Sequence, residues 1–451
     1  MLSAEDNELI TQTDRGTPMG ELFRRFWLPA LLSEELPAKN SHPVRVKIMG
    51  EKLVAYRDSD GNPGVISAYC PHRGAPMYYG RNEEGGLRCL YHGWKYDLTG
   101  QCIDMPNIPN GEIVKKRIQT IAYPTHEAAN MIWIYMGPPE RKPPFPEFPA
   151  CALSKENVYA TKYEIDCNWL QAQEGDFDPS HVQFIHSTLG EPSPLMAPTW
   201  RGGPNSELAR SVALVNTEAG VIFANSMSAG DGQMNVTASQ FMLPCYSNAG
   251  HKTATGPNVQ AMNIRVPIDD EHEMHFRVRW DPEGFSDEER WEYTHGGYVF
   301  PLHESGTYRA QENKENDYGY NPVLQRHFNY SGVVPFPTQD LMMIEDQWGP
   351  IQDRTQEHLV ASDVRIIFVR QRLIEMAKAL ENGIEPNEPF KMTDIHQLST
   401  VKGPLVLPEQ ANLSDDAVQE LAAGFHARIL SDEIPADLDA TKLIDALPAD
   451  A

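Results

Sequence analysis

The order of patterns along the chain predicts an α+β protein in two parts: a small antiparallel β domain, then a larger domain mixing strands and helices. Three observations carry this. From residue 44 the sequence runs in short alternating apolar stretches broken by Asp-rich and Gly-rich turns, as half-buried antiparallel strands do. Residues 137–149 are too rich in proline for a helix or a central strand and read as a linker. Beyond them, strand-length apolar runs alternate with stretches at helical spacing. At 451 residues the chain is long for one domain. The expected divisions are an N-terminal helical segment over 1–40, the β domain over 41–150, the larger domain over 151–390 and a C-terminal extension over 391–451.

Each element has its own signal. Thr17-Pro18 pairs an N-cap with proline at the first helical position. Met19, Leu22, Phe23, Phe26 and Trp27 follow at helical spacing and predict a buried helix face. Strands are predicted at 44–49, 52–57, 65–68 and 87–89, with turns at 58–61 and 98–100; 131–136 is the last strand of the β domain. After the linker, strands are predicted at 212–215, 220–225, 237–243 and 275–280. Helices are predicted around 176–186, 338–348, 362–382 and 414–430. The third of these turns Ile366, Val369, Leu373, Met376 and Leu380 inward and ends at Asn382-Gly383. The last has Val418, Leu421, Phe425 and Ile429 on one stripe, and the acidic tail beyond it reads as loose.

Two short runs in the β domain carry chemistry. Cys70-Pro71-His72 is followed, after sixteen residues, by Cys89-Leu90-Tyr91-His92. Zinc accepts two thiolates and two imidazoles, but zinc boxes usually separate the cysteines from the histidines. One Cys and one His in each box suit a Rieske-type [2Fe-2S] cluster, with Cys70 and Cys89 on one iron and His72 and His92 on the other. Gly74 and Gly93 mark the loop tips, where backbone amides can approach the sulfides. Ala75 and Tyr91 stand where respiratory-type clusters carry an extra disulfide, so the cluster is expected to be of the low-potential kind that feeds an oxygenase. Cys102, Cys151, Cys167 and Cys245 have no partner spacing and read as small buried hydrophobes.

A second stretch, Asp178-x-x-His181-x4-His186, offers two imidazoles and an acid. Two histidines and one carboxylate on one face of an octahedron form the triad of non-haem Fe(II) oxygenases, leaving positions open for dioxygen and substrate. Five residues apart, His181 and His186 diverge by about 140° on a regular helix, so a π-bulge is predicted between Asp178 and His186. The carboxylate must come from farther along, where Asp340, Glu345, Asp346, Asp353, Glu357 and Asp363 are available. Asp340 sits one turn inside a helix start, while Asp346 and Asp353 look directed to solvent. Chemistry alone does not select among them, because first-turn acids commonly partner the helix dipole.

Composition excludes several classes. A formal net charge of −25 with no basic stripe argues against nucleic acid. No apolar run approaches bilayer length, and the acidic first residues lack the order of a signal peptide, so no membrane association is expected. With two cysteines committed to iron, a cytoplasmic setting is expected. No glycine-rich dinucleotide motif is present, so a separate partner must take the hydride from the nicotinamide.

Together these runs resemble the oxygenase (α) subunits of Rieske non-haem iron ring-hydroxylating oxygenases, particularly the phthalate dioxygenase-like group. The resemblance spans residues 17–380. It includes Glu-Gly-Gly-Leu-Arg-Cys at 84–89, Tyr91-His92-Gly93-Trp94, Val266-Pro267-Ile268-Asp269-Asp270 and Gly349-Pro350-Ile351-Gln352-Asp353-Arg354. It implies a helix-grip catalytic domain, in which an antiparallel sheet wraps a long helix. It further implies Cys70, His72, Cys89 and His92 as ligands of the [2Fe-2S] cluster. His181, His186 and Asp340 are implied as ligands of a mononuclear Fe(II). Asp178 is implied as the acid linking the two centres, across subunits of a homotrimer or a multiple of trimers. The implied reaction is hydroxylation of an aromatic acid or aryl ether by O2, with electrons from an NAD(P)H-dependent reductase that can include a ferredoxin domain. O- or N-demethylation uses the same iron chemistry; a Rieske electron carrier and a zinc-stabilised binding protein are the readings outside this class. The strands at 221–227 and 234–242 are neutral and Met-rich, and Arg201, Arg210 and Arg265 read as surface charges. Without a bidentate carboxylate clamp, a larger or less charged aromatic than phthalate is expected. Glu174 has no assigned role.

Overall fold

The computed structural model describes residues 2–189, 210–230, 233–249, 260–297, 300–392 and 405–408. The predicted helix at 414–430, the acidic tail and Arg201 lie outside them. The β domain holds two four-stranded antiparallel sheets. One orders Val44–Ile48, Glu51–Arg57, Pro63–Ser67 and Ala122–Tyr123; the other orders Arg81–Glu83, Gly86–Arg88, Lys95–Tyr96 and Cys102–Asp104. The cluster loops leave different sheets, Cys70 after Pro63–Ser67 and Cys89 after Gly86–Arg88. Val54, Tyr56, Ile66, Met77, Leu87, Trp94 and Tyr96 pack around the two cysteines as a separate small core.

The N-terminal helix signal is correct at its start and too long at its end. Thr17 caps Pro18–Phe23 by accepting from the Gly20 amide, but Trp27 already belongs to a strand, Trp27–Leu32. That strand pairs antiparallel with Met131–Tyr135, Trp27 opposite Tyr135 and Leu32 opposite Met131. All six of its residues are buried, so its apolar run serves a sheet partner a hundred residues away rather than a helix face.

The larger domain is built on an antiparallel sheet in the order Val158–Ile165, Glu273–Trp280, Gln260–Pro267, Tyr246–Ala249, Gln233–Met242, Gly220–Gly230 and Arg210–Asn216; Leu405–Pro408 pairs with Gln233–Met242. The helix Val364–Glu381 packs Val369, Leu373 and Ala377 into one core with Val221, Phe223 and Phe241 of this sheet. Gly383, at φ +82°, ends it: its amide reaches the Leu380 carbonyl (2.9 Å) and the Ile384 amide reaches Ala379 (2.9 Å), the αL closure that only glycine adopts without strain. No helix among the described residues is long and apolar enough to cross a membrane.

The helix predicted around 176–186 is two helices, Trp169–Phe177 and Val182–Ile185. No π-bulge joins them. Proline lacks an amide hydrogen and pushes its predecessor out of the helical region, so Pro179 sends Asp178 to φ −82°, ψ 111°, and the helix stops there. The predicted irregularity exists, but as a break.

Candidate metal centres and the active-site cavity

The two cluster loops are built alike. In the first, the Cys70 amide donates to Ala75 (2.8 Å) and the Gly74 amide to Cys70 (2.9 Å); in the second, Cys89 donates to Trp94 (2.8 Å) and Gly93 to Cys89 (3.0 Å). Gly74 and Gly93 hold φ +71° and +77°, and a Cβ on Gly93 would come within 2.8 Å of Pro106. Arg88 pins the second loop, reaching the Gly93 carbonyl and the Asp104 carboxylate at 2.7 Å each. Both thiols are 2 % exposed, whereas His72 and His92 are half-buried with ring centroids 4.5 Å apart. The thiols thus sit together inside and the imidazoles together outside. His72 also stacks on Trp94 at 4.2 Å, and the Trp94 indole donates to Asn107 (2.8 Å).

This separation tests the metal. Donors of one tetrahedral zinc would converge on a point. Among the described residues only His181, His186 and Asp340 bring three donor atoms within 4.8 Å of one another. The four side chains at 70, 72, 89 and 92 are spread as two pairs, thiols and imidazoles, which fits a two-iron cluster. Cys102, Cys167 and Cys245 are buried and Cys151 partly so, all as free thiols.

The other centre draws on the broken helix and on Phe336–Ile344. His186 Nε2 lies 3.1 Å from Asp340 Oδ1 and His181 Nε2 3.8 Å from it. His186 Nδ1 donates to Gln339 Oε1 (2.7 Å), and Gln339 Nε2 donates to the Val333 carbonyl (2.8 Å); the ring plane is held by stacking on Phe336 at 4.1 Å. These contacts fix the tautomer that points Nε2 at Asp340. His181 Nδ1 faces Asp178 Oδ2 at 3.4 Å. Burial works to raise the Asp178 carboxyl, but His181 and Ser180 outweigh it and hold it at about 2. Asp340 is likewise raised by burial and brought down to about 2 by His186 and His181. His181 is pulled down by burial but ends above its ordinary value through Asp178 and Asp340. Two imidazoles and a carboxylate so arranged fit an octahedral Fe(II) with open positions.

The other acids are engaged elsewhere. Glu345 accepts from the Asp166 amide (3.1 Å) and the Tyr318 hydroxyl (2.6 Å). Glu357 pairs with Arg370, and Asp346 is exposed. Glu174, unassigned from sequence, is a buried anchor: it receives Arg370 at 2.6 and 2.8 Å and Arg354 at 3.3 Å. Arg265 is 6 % exposed rather than a surface charge. It makes a two-point pair with Asp176 (3.1 and 2.7 Å) and reaches Glu273 at 2.9 Å. No sequence signal distinguished these pairs, since each partner is more than eighty residues away or lies on a facing strand.

A cavity of about 950 Å³ opens onto the triad. Its described wall includes Tyr163, Asn263, Arg265, His275 and Arg277, from strands at one end of the sheet. The described part of the wall thus carries cationic, acidic and hydrogen-bonding groups beside Met342 and Met343. Side chains at 225–238 lie outside the described set.

Comparison with known proteins agrees with this architecture. Residues 26–122 match the Rieske [2Fe-2S] domain model and residues 134–390 the model described as "LigXa C-terminal domain like". The chain is 33% identical over 392 residues to the phthalate 4,5-dioxygenase oxygenase subunit of Pseudomonas putida, covering 85% of this chain and 88% of that one. It is 30% identical over 421 residues to the 5,5'-dehydrodivanillate O-demethylase oxygenase subunit of a Sphingobium species, covering 89% of each. The solved structure of dicamba monooxygenase bound to dicamba shares the fold, with a TM-score of 0.55 at 18% identity over 80% of this chain and 99% of that one. With both iron-binding domains in one polypeptide and these matches along most of its length, the chain belongs to the oxygenase subunits of the multicomponent Rieske non-haem iron oxygenases.

Proposed function

We infer that this oxygenase subunit hydroxylates a small aromatic compound of the aromatic acid or aryl ether class. The observation that carries the reading is the cavity of about 950 Å³ opening onto His181, His186 and Asp340, ample for a substituted ring. The names of the phthalate and dehydrodivanillate relatives support the same class. In this reading Cys70, His72, Cys89 and His92 hold the cluster, the 41–150 segment being its domain and 151–390 the catalytic one. When bound, the cluster supplies electrons and the Fe(II) binds and activates dioxygen.

The chain's own groups then have definite tasks. Gln339 and Phe336 hold the His186 ring in its ligating orientation. Asp178 Oδ2 faces His181 Nδ1 at 3.4 Å and orients the ring electrostatically. Its Oδ1 is already filled by the Ser180 amide (2.7 Å) and hydroxyl (2.6 Å), so a link to a cluster histidine must use the remaining lone pair of Oδ2. That histidine, His92, comes from the neighbouring subunit of a head-to-tail trimer, whose heterologous contacts close a ring. Electrons arrive from a separate NAD(P)H-dependent reductase, with or without a ferredoxin domain.

The test is substrate-dependent oxygen uptake by the iron-loaded protein with a surrogate reductase, across aromatic acids and their methyl ethers. Uptake with at least one aromatic, coupled to product, is expected; none across the panel at full iron content overturns the reading. The O-demethylase relative favours a second reading, demethylation of a methoxy substituent, which would release formaldehyde in step with oxygen uptake.

A further inference from the structure

The sheet that walls the iron cavity carries a second cavity against its other face. Side chains alternate across a strand, and here the alternation separates two spaces. Tyr163, Arg265 and His275 face the cavity of the triad. Lys162, Val266, Met274 and Phe276 line a cleft of about 480 Å³ on the reverse side. In register, Phe276 lies opposite Lys162 and Met274 lies between Glu164 and Val266. The other wall belongs to the β domain, where the hairpin of Val44–Ile48 and Glu51–Arg57 closes over the cleft. Its turn is fastened to the larger domain: the Met49 amide donates to the Pro267 carbonyl (2.8 Å) and the Gly50 amide to the Ile268 carbonyl (2.9 Å).

The floor of this cleft is apolar, with Val266 and Phe276 each 1 % exposed. Its rim is cationic. The hairpin contributes Arg45, Lys47 and Lys52, and Lys47 stands directly opposite Lys52, a pairing that repels. Lys47 is matched by Asp269, and the buried Lys162 by Glu35 at 2.6 Å. Arg45 rests on the Tyr78 ring at 3.4 Å and donates to the Tyr79 hydroxyl at 3.4 Å. Neither Arg45 nor Lys52 has a carboxylate partner among the described residues, in a chain with 63 acids against 38 lysines and arginines. Glu164 is the one acid among the described lining residues, and burial together with Asp166 raises its carboxyl. An apolar floor with two uncompensated cations at the rim matches a ligand that is greasy at one end and anionic at the other, and the volume is that of a small-molecule site.

We propose that this cleft binds a small amphiphilic anion, an apolar body bearing one carboxylate, at a site separate from the substrate cavity. The body lies on Val266, Met274 and Phe276, and the carboxylate meets Arg45 and Lys52. None of these residues belongs to either iron centre, so the site goes beyond the hydroxylation reading and does not depend on it.

Calorimetric titration of the iron-loaded protein with octanoate and with 1-octanol tests this. Octanoate is expected to bind more tightly than the alcohol. The double substitution Arg45→Gln and Lys52→Gln should weaken octanoate about tenfold, at about threefold for each exposed ion pair, while octanol changes by less than about twofold. Arg45→Lys with Lys52→Arg, which keeps both charges, should retain most of the preference. Iron content, cluster spectrum and oligomeric state should be the same in all three proteins. Undiminished octanoate binding in the neutralised protein, equal loss for the two ligands, or no preference for octanoate in the wild type would overturn the proposal. An altered oligomeric state after neutralisation would assign the two cations to a subunit contact and overturn it as well. A raised reductase requirement with octanoate binding intact would assign them to the electron donor instead.

Discussion

Replacing Gln339 with leucine isolates what orientation contributes to iron binding. Gln339 is 1 % exposed and its Oε1 takes the His186 Nδ1 proton at 2.7 Å. Without it, Phe336 still holds the plane of the imidazole, but the ring is free to flip within that plane or to change tautomer. Groups that orient a ligating histidine in this way are worth about 10–100-fold in metal affinity, or about 1.4–2.7 kcal/mol. Because this contact is fully desolvated, the upper half of that range is expected. The effect on folding should be moderate. The Val333 carbonyl, which loses the Gln339 amide, keeps Asn329 Nδ2 at 2.8 Å and Ser331 Oγ at 3.2 Å, but the buried His186 Nδ1 loses its acceptor, so about 1–3 kcal/mol is at stake. The assay is Fe(II) affinity by chelator competition, with the cluster spectrum as an internal control for folding. Gln339→Glu, which preserves the acceptor, should keep affinity near the wild-type value. Unchanged affinity in Gln339→Leu, or equal losses in the two variants, would refute the orientation argument.

Three further outcomes are expected. Asp178→Asn should keep both metals yet slow oxidation of the pre-reduced cluster in a single turnover by about tenfold or more; wild-type kinetics in a stopped-flow trace would count against the link. Tyr96→Phe removes a hydroxyl 3.3 Å from Cys70 Sγ. Such bonds stabilise the electron-rich reduced cluster, so the midpoint potential should fall in a redox titration. Glu273 shares one guanidinium with Asp176: burial raises its carboxyl, Arg265 only partly offsets this, and it stands at about 8. The folded state therefore holds a proton that the unfolded state releases above its ordinary carboxyl range, so stability is lost as pH rises from about 4.5 to about 8. Glu273→Gln should flatten that slope in denaturation measured across this window, and an unchanged slope would show that the carboxyl is already ionised.

How much of this could be read from sequence depended on where the partners lie. The cluster domain was legible because each box places its Cys and His within four residues, and the αL glycines sit within the same loops. The two histidines were legible for the same reason, but their geometry was not. Asp178-Pro179 signals a break, whereas the spacing argument presumed an unbroken helix. The helix face was carried as far as Trp27, the first residue of a strand, because a fully buried strand and a helix face both appear as apolar runs until the partner at 131–135 is known. Arg265 read as a surface charge and Glu174 had no assigned role; only tertiary pairing, Arg265 with Asp176 and Glu174 with Arg370, makes them buried charges. The strands at 158–165, 260–267 and 273–280 that line the described part of the cavity were not legible as its wall, since sheet order is not local information.

The helix Trp169–Phe177 is pinned by Glu174 to Arg370 on the long helix and by Asp176 to Arg265 on the sheet. Those two acids leave the helix about 200° apart, so neither rotation nor sliding is available without separating opposite charges. The mounting of Asp178 and His181 is thereby made independent of the apolar packing around it. Evolution or an engineer can recut the pocket for a different guest while the iron-bearing corner keeps its alignment.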